Sequence, residues 1–132
     1  MPLIQIAIAG PTPVPATVSR LQAETTTLMR DILRKQAPLT VVAISQLPEG
    51  SLSANGQGVP LGAFLEATVT AGTNTDDEKA AFIVAAEAML RDALGRLDAP
   101  VYVIVQEIPA TDWGYDGRTQ AARRIDVAGV TP

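Results

Sequence analysis

MPLIQIAIAG, residues 1–10, is the stretch on which the reading of this chain turns. Ile4, Ile6 and Ile8 alternate with Leu3, Gln5, Ala7 and Ala9, the period-two pattern of a β-strand with one fully apolar face. Gly10-Pro11-Thr12-Pro13 then breaks the strand. Pro2 stands directly behind the initiator methionine, and a small residue there favours removal of Met1. Removal leaves a secondary amine at the head of a strand. An α-amino group has a reference pKa of about 8, and burial among apolar groups disfavours its charged form. A base near neutrality suits proton transfer at a carbon next to a carbonyl. The pair Met-Pro opens many chains, so the rest of the sequence has to carry this reading.

Outward from that strand, Pro15 suits a first helical turn, where its missing N–H costs nothing. From there to about Lys35, Val18, Leu21, Leu28, Met29, Ile32 and Leu33 recur at helical spacing, which predicts an amphipathic helix ended by Pro38. Residues 40–47 read as a second strand and the Gly-, Ser-, Asn- and Pro-rich residues 48–60 as loop. The same order then returns. Residues 64–70 read as a strand. Thr75-Asp76-Asp77-Glu78 reads as a capping box at a helix start. Phe82, Ile83, Ala86, Leu90, Ala93, Leu94 and Leu97 form the apolar stripe of a helix ending before Pro100. Residues 101–108 read as the fourth strand, and Asp116-Gly117 as a tight hairpin turn. Residues 118–132 carry no clear pattern.

The halves match in detail. Leu28-Met29-Arg30-Asp31-x-Leu33 corresponds to Met89-Leu90-Arg91-Asp92-x-Leu94, 61 positions later, and Pro48 and Gly56 correspond to Pro109 and Gly117 at the same offset. A regular offset marks a duplicated unit. The expected fold is α/β (α+β): one domain of two β-α-β repeats, residues 1–60 and 61–132, giving a four-stranded mixed sheet with two helices on one face. The strands within each repeat should be parallel, with right-handed crossovers. The sheet's other face is also apolar and needs cover, most simply from other copies of the chain.

Composition narrows the chemistry. The 132 residues are 47% hydrophobic and 18% charged, as in a globular domain. A net charge of −4 gives no basic footprint for nucleic acid. Cysteine and histidine are both absent, which removes disulfides, thiolate metal sites and the commonest general base. Catalysis would have to use carboxylates, Lys, Tyr or the N-terminus. No apolar run reaches spanning length and the first strand lacks a positive leader, so the expectation is a cytoplasmic protein without membrane partner, metal or cofactor.

With these residues in hand, the sequence resembles the tautomerase superfamily, and in particular a fused, duplicated 4-oxalocrotonate tautomerase. The resemblance is carried by the proline start, the Thr75–Lys79 helix start, Leu97-Asp98-Ala99-Pro100, Gln106-Glu107-Ile108, Trp113-Gly114, Gly117 and the basic pair Arg123-Arg124. It implies a homotrimer acting on a small molecule, with Pro2 as the general base moving a proton in a keto–enol or enol-acid substrate. A hydratase, dehalogenase or decarboxylase of the same superfamily, for which Glu107 and Asp112 are the nearby carboxylates, and a non-catalytic trimeric member are the alternatives.

The departures are informative. The family's carboxylate-binding arginines fall at Thr12 and Asn74 in one place and near Val41 and at Tyr102 in the other, and none of these is charged. Neutral groups hold a carboxylate less well than bidentate arginine. Arg118, Arg123 and Arg124 are the cations that would reach the pocket from elsewhere. The wall aromatic is Trp113 in the second half but Leu52 in the first. Candidate substrate-binding residues are thus Trp113, Tyr102, Asn74 and Thr12. Each has a plainer role beside it. Trp113 would anchor a subunit interface, Tyr102 would be an ordinary strand tyrosine, Asn74 would shape a turn, and Thr12 would cap a helix.

Overall fold

The computed structural model describes residues 2–124. The first strand, β1, runs Leu3–Ala9, and its isoleucines Ile4, Ile6 and Ile8 are fully buried. Helix α1 (Pro15–Asp31) follows, with Pro15 in its first turn. It stops short of the predicted end near Lys35. Arg34 takes a left-handed conformation (φ 60°) and the Lys35 N–H closes back on the Met29 carbonyl at 3.0 Å. A 3-10 turn at Ala37–Leu39 leads into β2 (Val41–Leu47). The stretch expected to be loop holds a small hairpin, β3 (Ser53–Ala54) and β4 (Gln57–Gly58), closed by Asn55 and Gly56 with φ of 53° and 76°. This is the left-handed pair that a two-residue hairpin turn requires.

The second half comprises β5 (Gly62–Thr70), α2 (Asp76–Leu94), β6 (Tyr102–Ile108), β7 (Gly114–Tyr115) and β8 (Arg118–Thr119), and residues 120–124 are helical. The predicted capping box is formed: the Glu78 N–H donates to Thr75 Oγ1 at 3.1 Å, and the Thr75 N–H donates to Glu78 Oε1 at 2.8 Å. That backbone hydrogen bond holds the Glu78 carboxyl below the usual range. Asp116 and Gly117 close the second hairpin with φ of 51° and 83°.

The strands form one sheet in the order β2-β1-β5-β6. β1 and β2 are parallel, as are β5 and β6, and the two central strands β1 and β5 run antiparallel with Ile6 opposite Leu65. The elements β2, β3 and β4 recur 61 positions later as β6, β7 and β8. Loop hydrogen bonds recur at that spacing too, Val59 N–H to the Leu52 carbonyl and Gln120 N–H to the Trp113 carbonyl, both at 2.9 Å.

Both helices cover one face, which explains the burial of Leu21, Met29, Phe82, Ala86 and Leu90 against the isoleucines of β1 and against Leu65, Ala67 and Val69 of β5. The opposite face leaves apolar side chains in the open: Leu3, Val41, Tyr102 and Ile104. Among the described residues no helix is long and apolar enough to cross a membrane.

Candidate active site

Pro2 is buried at the head of β1, and its carbonyl accepts the Val41 N–H at 3.2 Å. It lines a cavity of about 340 Å³. One wall comes from the first repeat: Leu3 beside it, Pro38 and Leu39 of the 3-10 turn, and Val41 at the start of β2. The other comes from the second repeat: Trp113, Gly114, Tyr115 and Asp116 of the β7–β8 hairpin region, and Gln120 behind it. The hairpin of one repeat therefore closes over the strand head of the other.

The wall is fixed by specific bonds. Trp113 Nε1 donates to the hydroxyl of Thr70 at 3.2 Å, and Thr70 is itself buried at the end of β5. Tyr115 carries the Arg123 guanidinium stacked 3.8 Å above its ring, and its carbonyl accepts from the same side chain at 3.0 Å. Gln120 is buried, 8% exposed. The residues after the hairpin gave no pattern in sequence, so Gln120 was not foreseen. The signal for it lay in the repeat, since its counterpart Val59 is also buried behind its hairpin.

The other expected site residues lie elsewhere in the chain. Tyr102 pairs with Phe64, which in turn pairs with Ala7, whereas Pro2 adjoins Leu3. Five register steps from Pro2 to the level of Ala7 place Tyr102 about 17 Å away along the strands, towards the far end of the sheet and 68% exposed. Asn74 donates to the Leu33 carbonyl at 2.9 Å, tying the end of α1 to the start of α2. Thr12 is exposed and does not cap α1, whose N-cap is Val14 with no side-chain bond. It lines a separate cavity with Pro11, Pro13 and Leu61.

None of the charged side chains proposed from sequence lines the Pro2 cavity. Arg118 and Asp112 border a shallower neighbouring depression. Glu107 accepts from Lys79 Nζ at 2.8 Å and from the Gly72 N–H at 3.2 Å, and these bonds, the lysine first, hold its carboxyl below the usual range. Lys35 donates to the Thr73 hydroxyl at 2.8 Å, and burial pushes its pKa down.

In the second repeat the position equivalent to Pro2 is Ala63, buried within β5, so its nitrogen is an amide without basicity. Leu52, the counterpart of Trp113, packs so closely on Gly62 that a Cβ there would lie 2.4 Å from Leu52 Cδ2. One strand head therefore carries Pro2 beside an open cavity, and the other is filled.

Fold and site together define a class: the chain has the fold of the tautomerase superfamily. It is similar to native fused 4-OT, with 25% identity over 91% of this chain and 97% of that one and a TM-score of 0.79. A symmetric trimer of fused 4-OT matches at 21% identity, over 92% and 98% of the two chains, with a TM-score of 0.82. Pt0534 inactivated by 2-oxo-3-pentynoate matches at 17% identity over the same shares, also with a TM-score of 0.82. No protein-family sequence model matches the chain, and no curated protein sequence matches it.

Proposed function

We propose that this chain is a cofactor-free tautomerase in which Pro2, exposed by removal of Met1, is the general base for proton transfer in a small keto–enol substrate. The observation that carries the reading is the burial of Pro2 in a cavity walled by Trp113, on a fold shared with fused 4-OT. Apolar walls disfavour the protonated amine and keep its lone pair available. The amine takes a proton from the carbon next to the carbonyl, the electron pair moves onto oxygen, and the proton is returned to oxygen or carbon. Among the described lining residues, the Gln120 amide and the Tyr115 hydroxyl are neutral polar groups whose donors suit the oxygen end. Hydration or dehalogenation would need a carboxylate to activate water; neither Glu107 nor Asp112 lines the cavity, and Asp116, at the turn of the second hairpin, is the carboxylate that does.

The same reading extends to assembly. The matched fused 4-OT is a symmetric trimer, and this chain leaves one sheet face uncovered, so a homotrimer built from two-repeat chains is the proposed form.

The decisive experiment pairs processing with mutation. The intact mass of the cellular protein is expected to lack Met1. Deuterium exchange at the α-carbon of a small aryl ketone is expected to fall by about 100-fold or more in Pro2→Ala, the usual worth of a positioned base. Retained Met1, or an unchanged exchange rate in the variant, would remove Pro2 from the chemistry.

A further inference from the structure

We infer that the Pro2 cavity is built for an uncharged carbonyl compound and selects against organic acids. This rests on the proton-transfer reading above and narrows it to a substrate class.

The first-repeat wall, Leu3, Pro38, Leu39 and Val41, has no charge, and Trp113 and Tyr115 opposite add aromatic surface. Among the described residues, the one charged side chain in the lining is Asp116, at the turn of the second hairpin. A carboxylate entering such a space would shed water, meet no cation among the described lining residues of its own chain and approach a like charge. That is unfavourable unless an arginine or lysine compensates. Several cations at this end of the molecule already have partners, and Arg118 borders the neighbouring depression rather than this cavity. Arg123 is stacked on Tyr115 and bonded to its carbonyl. Lys79 lies between Glu107 and Asp76, Arg34 on Glu78, and Lys35 on Thr73. The net charge of −4 adds long-range repulsion of anions in the same sense.

A ketone or aldehyde meets none of these penalties. Its body gains from the apolar walls, its oxygen can accept from the Gln120 amide, and a volume of about 340 Å³ accommodates a small aryl or alkyl carbonyl compound.

Two electrophiles of nearly equal size test this: 3-pentyn-2-one, which is neutral, and 2-oxo-3-pentynoate, which is the corresponding acid. Each can alkylate a secondary amine without a co-reactant. The nitrogen adds to the alkyne carbon remote from the carbonyl, one π bond opens, and the proton leaving nitrogen settles on the adjacent carbon. Rates of Pro2 labelling would be followed by intact mass and peptide mapping on protein lacking Met1. Each rate is divided by that of the same reagent with prolinamide, which removes differences in intrinsic reactivity.

The normalised rate for the ketone is expected to exceed that for the acid by about tenfold or more. Higher ionic strength should speed the acid selectively, as screening weakens repulsion by Asp116. Asp116→Asn, a residue that tolerates the left-handed φ of 51°, should narrow the ratio by about threefold. Equal normalised rates, or a faster acid, would overturn the inference while leaving Pro2 as the reactive amine. No labelling of Pro2 by either reagent would instead bring down the parent reading, and this one with it.

Discussion

Trp113 carries two distinct jobs that mutation can separate. Its ring walls the cavity beside Pro2, while its Nε1–H is spent on the Thr70 hydroxyl at 3.2 Å. Trp113→Phe removes the hydrogen bond and keeps most of the wall, so kcat/KM for ketone enolisation should change by about threefold or less, in line with the net worth of one neutral hydrogen bond. Trp113→Ala opens the cavity to water and should cost about thirtyfold, equivalent to some 2 kcal/mol of lost transition-state stabilisation. A wild-type value in the alanine variant would assign the tryptophan to packing alone. Pro2 was visible in the sequence because its position at the head of an alternating strand needs only local pattern. That Pro2 meets Trp113, 111 positions away in the other repeat, was not legible from spacing; it came from the family resemblance and the closing of one repeat's hairpin over the other's strand. Tyr102 illustrates the converse. Its place in the strand was legible, but the register that puts it at the far end of the sheet depends on the antiparallel pairing of β1 with β5, which no local pattern encodes.

The helix ends show how two copies of one element can solve the same problem at different cost. After α2 the chain leaves through Gly95 at φ 88° and ψ −145°, and 61 positions earlier Arg34, two residues past the cap of α1, also holds a positive φ of 60°. A side chain in the left-handed region costs about 1 kcal/mol that glycine does not. Arg34 also pairs with Glu78 at 3.0 Å, but it is 82% exposed, and such pairs contribute little. Arg34→Gly should therefore raise stability, moving the thermal midpoint up by about 3 °C at equal protein concentration. A lower midpoint would mean that the ion pair outweighs the backbone strain. This element also explains a misjudged boundary. Apolar periodicity continues through Leu33, so the pattern predicts a helix to Lys35, yet backbone closure onto Met29 ends it sooner. The hairpin of β3 and β4 was hidden for the opposite reason. Strands of two residues have no periodicity to read, and only Asn55-Gly56 between them signals the turn.

For the molecule as a whole, the sheet itself argues for association. Its helix-covered face buries Ile4, Ile6, Ile8, Leu65 and Val69 completely, while the other face leaves Leu3 at 38%, Ile104 at 40% and Val41 at 58% exposed. A strand order with β2 and β6 at the edges also presents unpaired backbone on both sides of each chain. Covering the open face and extending the edges are both accomplished when chains pack around an axis, and this is the physical case for the proposed trimer. Ile104 is the sharpest probe, because it lies on the open face of β6 and outside the Pro2 cavity. Ile104→Glu would place an unpaired charge in the proposed interface at a cost of several kcal/mol, while an exposed glutamate on a free sheet face would be nearly neutral. Light scattering is expected to give three chain masses for the wild type and one for the variant. Circular dichroism of the variant should retain the mixed helix and strand signature, which separates dissociation from unfolding. A wild-type protein that runs as a single chain would dismiss the trimer. A variant that stays trimeric would move the interface to another face.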